Sequence, residues 1–282
     1  MDRIPNPVAF VGGGTMARAI AAGALDAGLL DPSAVCAADP DAGAREWFAS
    51  RGCAAFDDGA GALEWLARVE PASGLGVLLL AVKPQALDRA AASIVPALAG
   101  MPRLVVSILA GTTTERIGVA LGGSVRIVRA MPNTPARARK GITAIAPGTS
   151  ATANDASLAE RLFGAVGRVV RIDEALMDAF TAVAGSGPAY VFLLAEAMVD
   201  GAVEAGLDRE TALLAVRATV AGAGALLESG EDEPAVLRAA VTSKGGTTAA
   251  ALGVLESERV REALIRAVVA ARDRGRELAG GA

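Results

Sequence analysis

The chain has 282 residues, of which 52% are hydrophobic, carries a net charge of −4 and contains no histidine. That length allows two domains, each with its own buried core, and the acidic balance argues against a nucleic-acid partner. Without histidine there is no Ser-His-Asp triad and no histidine-containing zinc site, so no metal centre is expected.

The first strand, 8–12 (VAFVG), runs into Gly12, Gly13, Gly14, Thr15, Met16 and Ala17 and then a helix over 16–27. Gly12, Gly14 and Ala17 fit G-x-G-x-x-A in a strand–turn–helix setting. There the glycines permit a tight turn and let a pyrophosphate approach the helix N-terminus. This apolar start ends in a glycine loop rather than a cleavage site, and no uncharged apolar run reaches the length of about 18 residues that a membrane span needs. The expectation is a cytoplasmic protein with no membrane partner.

The second strand, 34–39, ends on Asp39, 22 residues past Ala17. An acidic group there bonds the adenosine ribose hydroxyls and repels a 2′-phosphate, which favours NAD over NADP. Arg45 and Arg51, on the helix 42–51, are the competing candidates for holding a 2′-phosphate. Cys36 and Cys53 lack CxxC spacing and read as small buried residues of a reducing compartment.

Strand 76–82 delivers Ala81, Val82, Lys83 and Pro84, with the proline suited to the first turn of a helix over 85–99. Strand 103–109 leads to Ala110 and Gly111, and strand 124–130 to Pro132 and Asn133. Ligands of parallel sheets bind at the carboxyl ends of strands, so these loops are candidate cofactor contacts. Strands at 142–146 and 167–172, with a helix over 155–165 between them, complete the alternation. Nearly continuous apolar strands separated by helices predict a parallel sheet covered on both faces. The fold class is α/β, with a Rossmann-type doubly wound sheet over 1–172.

Beyond 172 the strand patterns stop. Helices are predicted over 174–184, 189–205, 208–229, 232–241 and 247–278, the last with a break near 256–258. They make an all-α domain, 173–282. The helix 189–205 is apolar around most of its girth, with Glu196, Asp200 and Glu204 on one stripe, so its own domain or a partner chain must cover it. Gly222 and Gly224 weaken the next helix, a cost most readily kept where another backbone comes close. At 243–248 the sequence SKGGTT frees the backbone and starts a new helix. The first N–H groups of that helix lack internal partners and carry partial positive charge, which makes an anion site for a carboxylate or phosphate. A plain capped helix start is the alternative.

Together, FVGGGTMA, AVKPQ, RAMPNTPA, AGSGPAYVF and AVTSKGGTTAAALGVLE resemble the Δ1-pyrroline-5-carboxylate reductases, in the family's order and across residues 10–256. The last stretch is the family's signature, whereas the first is shared by most dinucleotide folds. Lys244 departs from the pattern, standing where many members have proline. The resemblance implies an enzyme that uses NADPH or NADH to reduce the small-molecule substrate L-1-pyrroline-5-carboxylate to L-proline. It also implies a helical domain that interlocks with a second subunit, giving a dimer or a ring of dimers. Thr248 matches the family's proton-relay threonine, and Glu231 matches a position near the substrate nitrogen, although a solvated loop charge explains Glu231 equally well. Ser243, Gly245, Gly246 and Thr247 would hold the substrate carboxylate. Gly185, Ser186 and Gly187 would close on the substrate.

Two other readings stay open. One is a different imine or β-hydroxyacid reductase, but the hydroxyacid kind places a lysine on the long helix after the sheet domain, and 189–205 contains none. The other is a nucleotide-binding paralogue without turnover, against which the intact 243–248 loop speaks.

Overall fold

In the computed structural model, which describes residues 3–69, 76–98, 103–123 and 125–280, the apolar runs of the first half become one eight-stranded sheet. The strands are β1 Val8–Val11, β2 Val35–Ala38, β3 Ala54–Phe56, β4 Val77–Leu80, β5 Arg103–Ser107, β6 Val125–Met131, β7 Gly141–Pro147 and β8 Gly167–Arg171. Their spatial order is β3-β2-β1-β4-β5-β6-β7-β8. Ser124 and Ala99, expected at the start of the strand 124–130 and the end of the helix 85–99, lie outside the described residues.

The central strands β1, β2, β4 and β5 are buried on both faces, which is why they read as nearly continuous apolar runs. Along β1, Val8 and Phe10 join one core with Ile20, Phe48 and Phe163, while Ala9 and Val11 join the other with Leu63, Leu66 and Ile94. The first core is roofed by α1 Thr15–Asp26, α2 Ala42–Ala49 and, later in the chain, a helix over Ala153–Gly164. The second is roofed by α3 Gly59–Val69, α4 Leu87–Leu98 and α5 Thr114–Ala120. With those three named, Ala153–Gly164 is α6.

The parallel sheet expected from the apolar strands needs a correction. β1 to β6 are parallel, but β7 pairs antiparallel with β6, with Ala130 opposite Ile145, and β8 follows β7 in parallel. The link between β6 and β7 holds only a short 3₁₀ turn, Thr134–Ala138, where a parallel return needs a crossover of a dozen or more residues. The sequence reading also lacked β3, α3 and α5. β3 is a three-residue strand of half-buried side chains, and α3 opens with two glycines, so neither carries a strong local signal.

The helices of the second half are α7 Met177–Phe180, a π-helical turn Thr181–Gly185, α8 Gly187–Glu204, α9 Arg209–Ser229, α10 Pro234–Ala240, α11 Thr247–Ser257 and α12 Val260–Gly280. The expected break falls between α11 and α12, where Arg259 takes a left-handed φ of 55°. Internal contacts divide the chain into two units. One runs up to Gly185 and includes the end of α12 from Ala271; the other is Ser186–Ala270. The boundary expected at 172 is the end of the sheet, and packing extends the first unit from there to Gly185.

In the second unit the buried cluster is small: Val199, Ala212 and Val216, where α8 meets α9. Phe192 and Leu193, on α8, are each 66% exposed, and Leu214, on α9, is 70% exposed. The segments Glu174–Glu204 and Arg209–Ser229 are long and apolar enough, by length and composition, to cross a membrane. The chain's own packing therefore leaves the apolar girth of 189–205 largely uncovered.

Candidate functional site: a dinucleotide cradle and an anion loop

The cradle sits where the first unit's strands end. β1 stops at Val11, and Gly12 turns the chain at a φ of 103°. Its amide donates to Ala38 O at 2.8 Å, and Ala81 N donates to Val11 O at 2.7 Å, so the ends of β2 and β4 clasp the turn. A Cβ on Gly12 would lie 2.6 Å from the backbone carbonyl of Ala81, which only glycine avoids. Gly14 has the opposite character. It is exposed, with nothing within 4 Å of where its Cβ would sit, and it caps α1 without a side-chain hydrogen bond. The N–H groups of α1's first turn thus face outward unpaired, with no acidic residue there to oppose an anion. A pyrophosphate fits this cradle because helix N-termini bind anions through such groups. Thr15 and Met16 follow in that turn, and Ala17 is buried beneath it. Arg18, missed from the sequence, donates Nε to Gly13 O at 2.8 Å and steadies the loop.

Asp39 is half-buried and engaged through both oxygens. Oδ2 accepts the Gly13 amide at 2.7 Å and Oδ1 the Asp41 amide at 2.8 Å. A carboxylate offers about four lone-pair directions, so two remain for other donors. Beside it opens a cavity of about 310 Å³ with an apolar floor that includes Val11, Ala38 and Val82. Its rim carries Asp39, Asp57, Asp58 and Arg89. Asp57, Asp58 and Arg89 follow β3 or lie on α4; the two aspartates went unnoticed because β3 itself did. Lys83 is exposed and caps the 3₁₀ turn Pro84–Ala86 with its backbone alone.

The other candidate cofactor loops are placed less directly. Ala110 is exposed and Gly111 turns with a φ of 65°, just ahead of the Thr113 cap of α5. Pro132 is buried. Asn133 is buried too, and its amide bridges two elements: Nδ2 donates to Ala184 O at 3.1 Å, while Oδ1 accepts the Ile142 amide at 2.9 Å. It therefore ties the β6–β7 loop to the π-helical turn that ends at Gly185. Nearby, Glu174 accepts from Thr114 through its amide (2.8 Å) and hydroxyl (2.6 Å) and pairs with buried Arg129 at 3.2 Å. This network anchors the segment leaving the sheet, and no sequence motif marks it. Burial pushes the Cys36 thiol up, with Cys53 adding to the shift; burial also raises Cys53 against the pull of Arg51. At both, burial disfavours the thiolate, which is the reactive form.

The second unit holds the loop between α10 and α11. Gly246 N donates to Ser243 O at 3.1 Å, closing a turn through Lys244 and Gly245, whose φ is 72°. Gly246 caps α11 in extended conformation without a side-chain bond, and no acid stands in the first turn. A side chain on Gly246 would collide with Ser243 Oγ, so the hydroxyl folds over the cap. The amides of Thr247, Thr248 and Ala249 begin the helix unpaired, and the Thr248 side chain is half-buried beside them. Elsewhere in this unit, Ser186 is the N-cap of α8 and makes no side-chain cap bond, and Gly187 has open space around it. Glu231 is exposed in the loop between α9 and α10.

Comparison with known proteins agrees with both halves. Residues 174–278 match the model described as pyrroline-5-carboxylate reductase dimerisation, and residues 7–111 match NADP oxidoreductase, coenzyme F420-dependent. The pyrroline-5-carboxylate reductase of Synechocystis is 42% identical over 95% of this chain and 97% of its own. The Arabidopsis thaliana enzyme of the same name is 38% identical over 99% of both. Among solved structures, a pyrroline-5-carboxylate reductase from Coxiella burnetii superposes with a TM-score of 0.86 at 36% identity, covering 98% of this chain and 99% of that one.

Proposed function

The chain belongs to the pyrroline-5-carboxylate reductase family, and on that premise we propose that it reduces L-1-pyrroline-5-carboxylate to L-proline, the last step of proline biosynthesis. The cofactor is NADPH or NADH, held at the pyrophosphate by Gly12, Gly13, Gly14 and the first turn of α1. When bound it supplies a hydride to the C=N carbon. The imine nitrogen gains a proton, the double bond becomes single, and the products are proline and oxidised dinucleotide.

The chain's own residues bind and orient. The observation that carries the substrate reading is the start of α11: unpaired amides, a glycine cap and no acidic residue in the first turn. Ser243, Gly245, Gly246 and Thr247 receive the substrate carboxylate there, as helix N-termini receive anions. Thr248 presents a hydroxyl one residue further on and holds or relays the proton at the imine nitrogen, with Glu231 on the loop before α10 as a second polar partner. A threonine hydroxyl is too weak an acid to act alone, so its part is orientation and relay. Gly185, Ser186 and Gly187 form the approach to α8 and close on the substrate.

The exposed apolar faces of α8 and α9 are covered by a second copy of the chain, in a dimer or in a ring of dimers, rather than by lipid or nucleic acid. The cytoplasm, a reducing compartment, suits its two buried free thiols. A spectrophotometric assay tests the reading: purified protein should oxidise NADPH or NADH only when pyrroline-5-carboxylate is present, with proline as product. No oxidation with either dinucleotide would overturn it.

A further inference from the structure

The rim of the adenosine-side cavity is acidic. Three carboxylates, Asp39, Asp57 and Asp58, stand against the single guanidinium of Arg89 among the described lining residues. We propose that this chain selects NADH over NADPH, reading the free ribose 2′-hydroxyl with Asp39 and rejecting a 2′-phosphate with Asp39, Asp57 and Asp58 together. The proposal rests on the family reading above for the identity of the ligand as a nicotinamide dinucleotide. It contrasts with the name of the family model that matches residues 7–111.

Three observations carry it. First, Asp39 is oriented before any ligand arrives. Its oxygens are set by the Gly13 and Asp41 amides at 2.7 and 2.8 Å, and what remains on them is acceptor capacity alone. Ribose hydroxyls are donors and match it; a phosphate dianion brings only acceptors and negative charge.

Second, the two arginines best placed by sequence to neutralise a 2′-phosphate are already engaged. Arg45 Nη1 donates to the carbonyls of both Asp39 and Pro40 at 2.8 Å. Arg51 lies 4.5 Å over the Trp47 ring and pairs with Asp26 at 3.6 Å. Recruiting Arg51 would break its pair with Asp26, and Arg45 is held by Nη1 against the strand-end backbone, leaving Nε and Nη2 as its remaining donors.

Third, a second pair of acids stands at the rim, and one of them is held in place. Asp58 Oδ1 accepts the Gly61 amide at 2.9 Å and so is fixed at the start of α3. Gly59 lets α3 pack closely on α4: a Cβ there would stand 2.9 Å from both Ser93 Oγ and Ile94 Cγ1, and Ser93 shares the cavity lining with Arg89. Asp57, one residue before Asp58, is exposed at the rim. Even at the dielectric constant of water, a dianion placed about 6 Å from one carboxylate loses about tenfold in affinity.

The test is calorimetric and independent of turnover. ADP-ribose and 2′-phospho-ADP-ribose are titrated into wild type, Asp39→Ser, Asp57→Asn and Arg89→Ala. Wild type should bind ADP-ribose about tenfold or more tightly than its 2′-phosphorylated form. Asp39→Ser should narrow that ratio, chiefly by weakening ADP-ribose. Asp57→Asn, on the exposed rim, should improve binding of the phosphorylated ligand by about two- to threefold and leave ADP-ribose unchanged. Equal or tighter binding of 2′-phospho-ADP-ribose by wild type overturns the proposal, all the more so if Arg89→Ala removes it. Binding of neither ligand overturns it as well. Failure of the family reading would look different, because the ADP-ribose preference would persist while no imine was reduced with either dinucleotide.

Discussion

Gly12 and Gly14 belong to one motif but answer to different constraints, and alanine at each should separate them. At Gly12 an added Cβ lies 2.6 Å from Ala81 C and O and 2.8 Å from Val82 N. Restoring a carbon contact of about 3.5 Å means moving the turn and the end of β4 apart by about 0.9 Å. That movement strains the 2.7 Å bond from Ala81 N to Val11 O. Overpacking of this kind costs about 1–3 kcal/mol, and a positive φ of 103° with a side chain adds about 1–2 kcal/mol. Gly12→Ala should therefore lose about 2–5 kcal/mol, a large part of a typical total of about 5–15 kcal/mol. At Gly14, φ is −68° and nothing lies within 4 Å. Gly14→Ala should cost less than about 1 kcal/mol in stability. It should nevertheless weaken ADP-ribose binding by about tenfold, because the methyl occupies the approach to the uncapped helix start. Urea unfolding measures the first effect as a fall in midpoint at constant slope, and calorimetry measures the second. A Gly12→Ala protein that unfolds at the wild-type midpoint would refute the close approach to Ala81. An undiminished ADP-ribose affinity in Gly14→Ala would refute the phosphate cradle.

Thr248→Ala should leave folding and dinucleotide binding intact while lowering kcat by one to two orders of magnitude, about 1.4–3 kcal/mol in the barrier; a wild-type kcat would remove Thr248 from the reaction. Replacing Gly222 and Gly224 by leucine meets no obstacle within the chain, since nothing lies within 4 Å of either Cβ position. Loss of self-association and activity together in that variant, read by analytical ultracentrifugation and assay, would mark a partner's close approach, whereas a fully active monomer would defeat it. Asp155 is buried. Burial raises its pKa, but the Arg126 hydrogen bonds at 2.8 and 3.0 Å and those from Thr152 outweigh that and hold the carboxyl below its usual range. A carboxyl whose folded pKa is depressed contributes its full stability above about pH 4 and loses it as pH falls through the folded value. Asp155→Asn should accordingly destabilise the protein at neutral pH and flatten the acid side of its stability–pH curve; an acid side as steep as wild type would clear Asp155 of that role.

Local signals settled much of this protein in advance. The turn after β1, the extended runs that became β1, β2 and β4 to β8, the long apolar helices and the break before α12 all follow from neighbours within a few residues, where periodicity, glycine and proline act. The 243–248 loop was legible for the same reason, since a helix start is a local event and its unpaired amides come with it. What lay beyond reach depended on partners distant in the chain. Periodicity shows that β7 is buried but not that it runs antiparallel to β6, because the choice of edge and direction is made by packing. β3 pairs with β2 and α3 packs closely on α4, contacts that three half-buried residues and a glycine-rich helix start do not announce. The Asn133 amide also joins Ile142 to Ala184, a use that only the folded chain assembles. The acidic rim has the same origin. Asp39 ends one strand and Asp57 and Asp58 follow the next, and parallel pairing of β2 with β3 sets the three carboxylates beside one cavity. A sequence records charges along a line, and pairing distant strands decides which of them share a field.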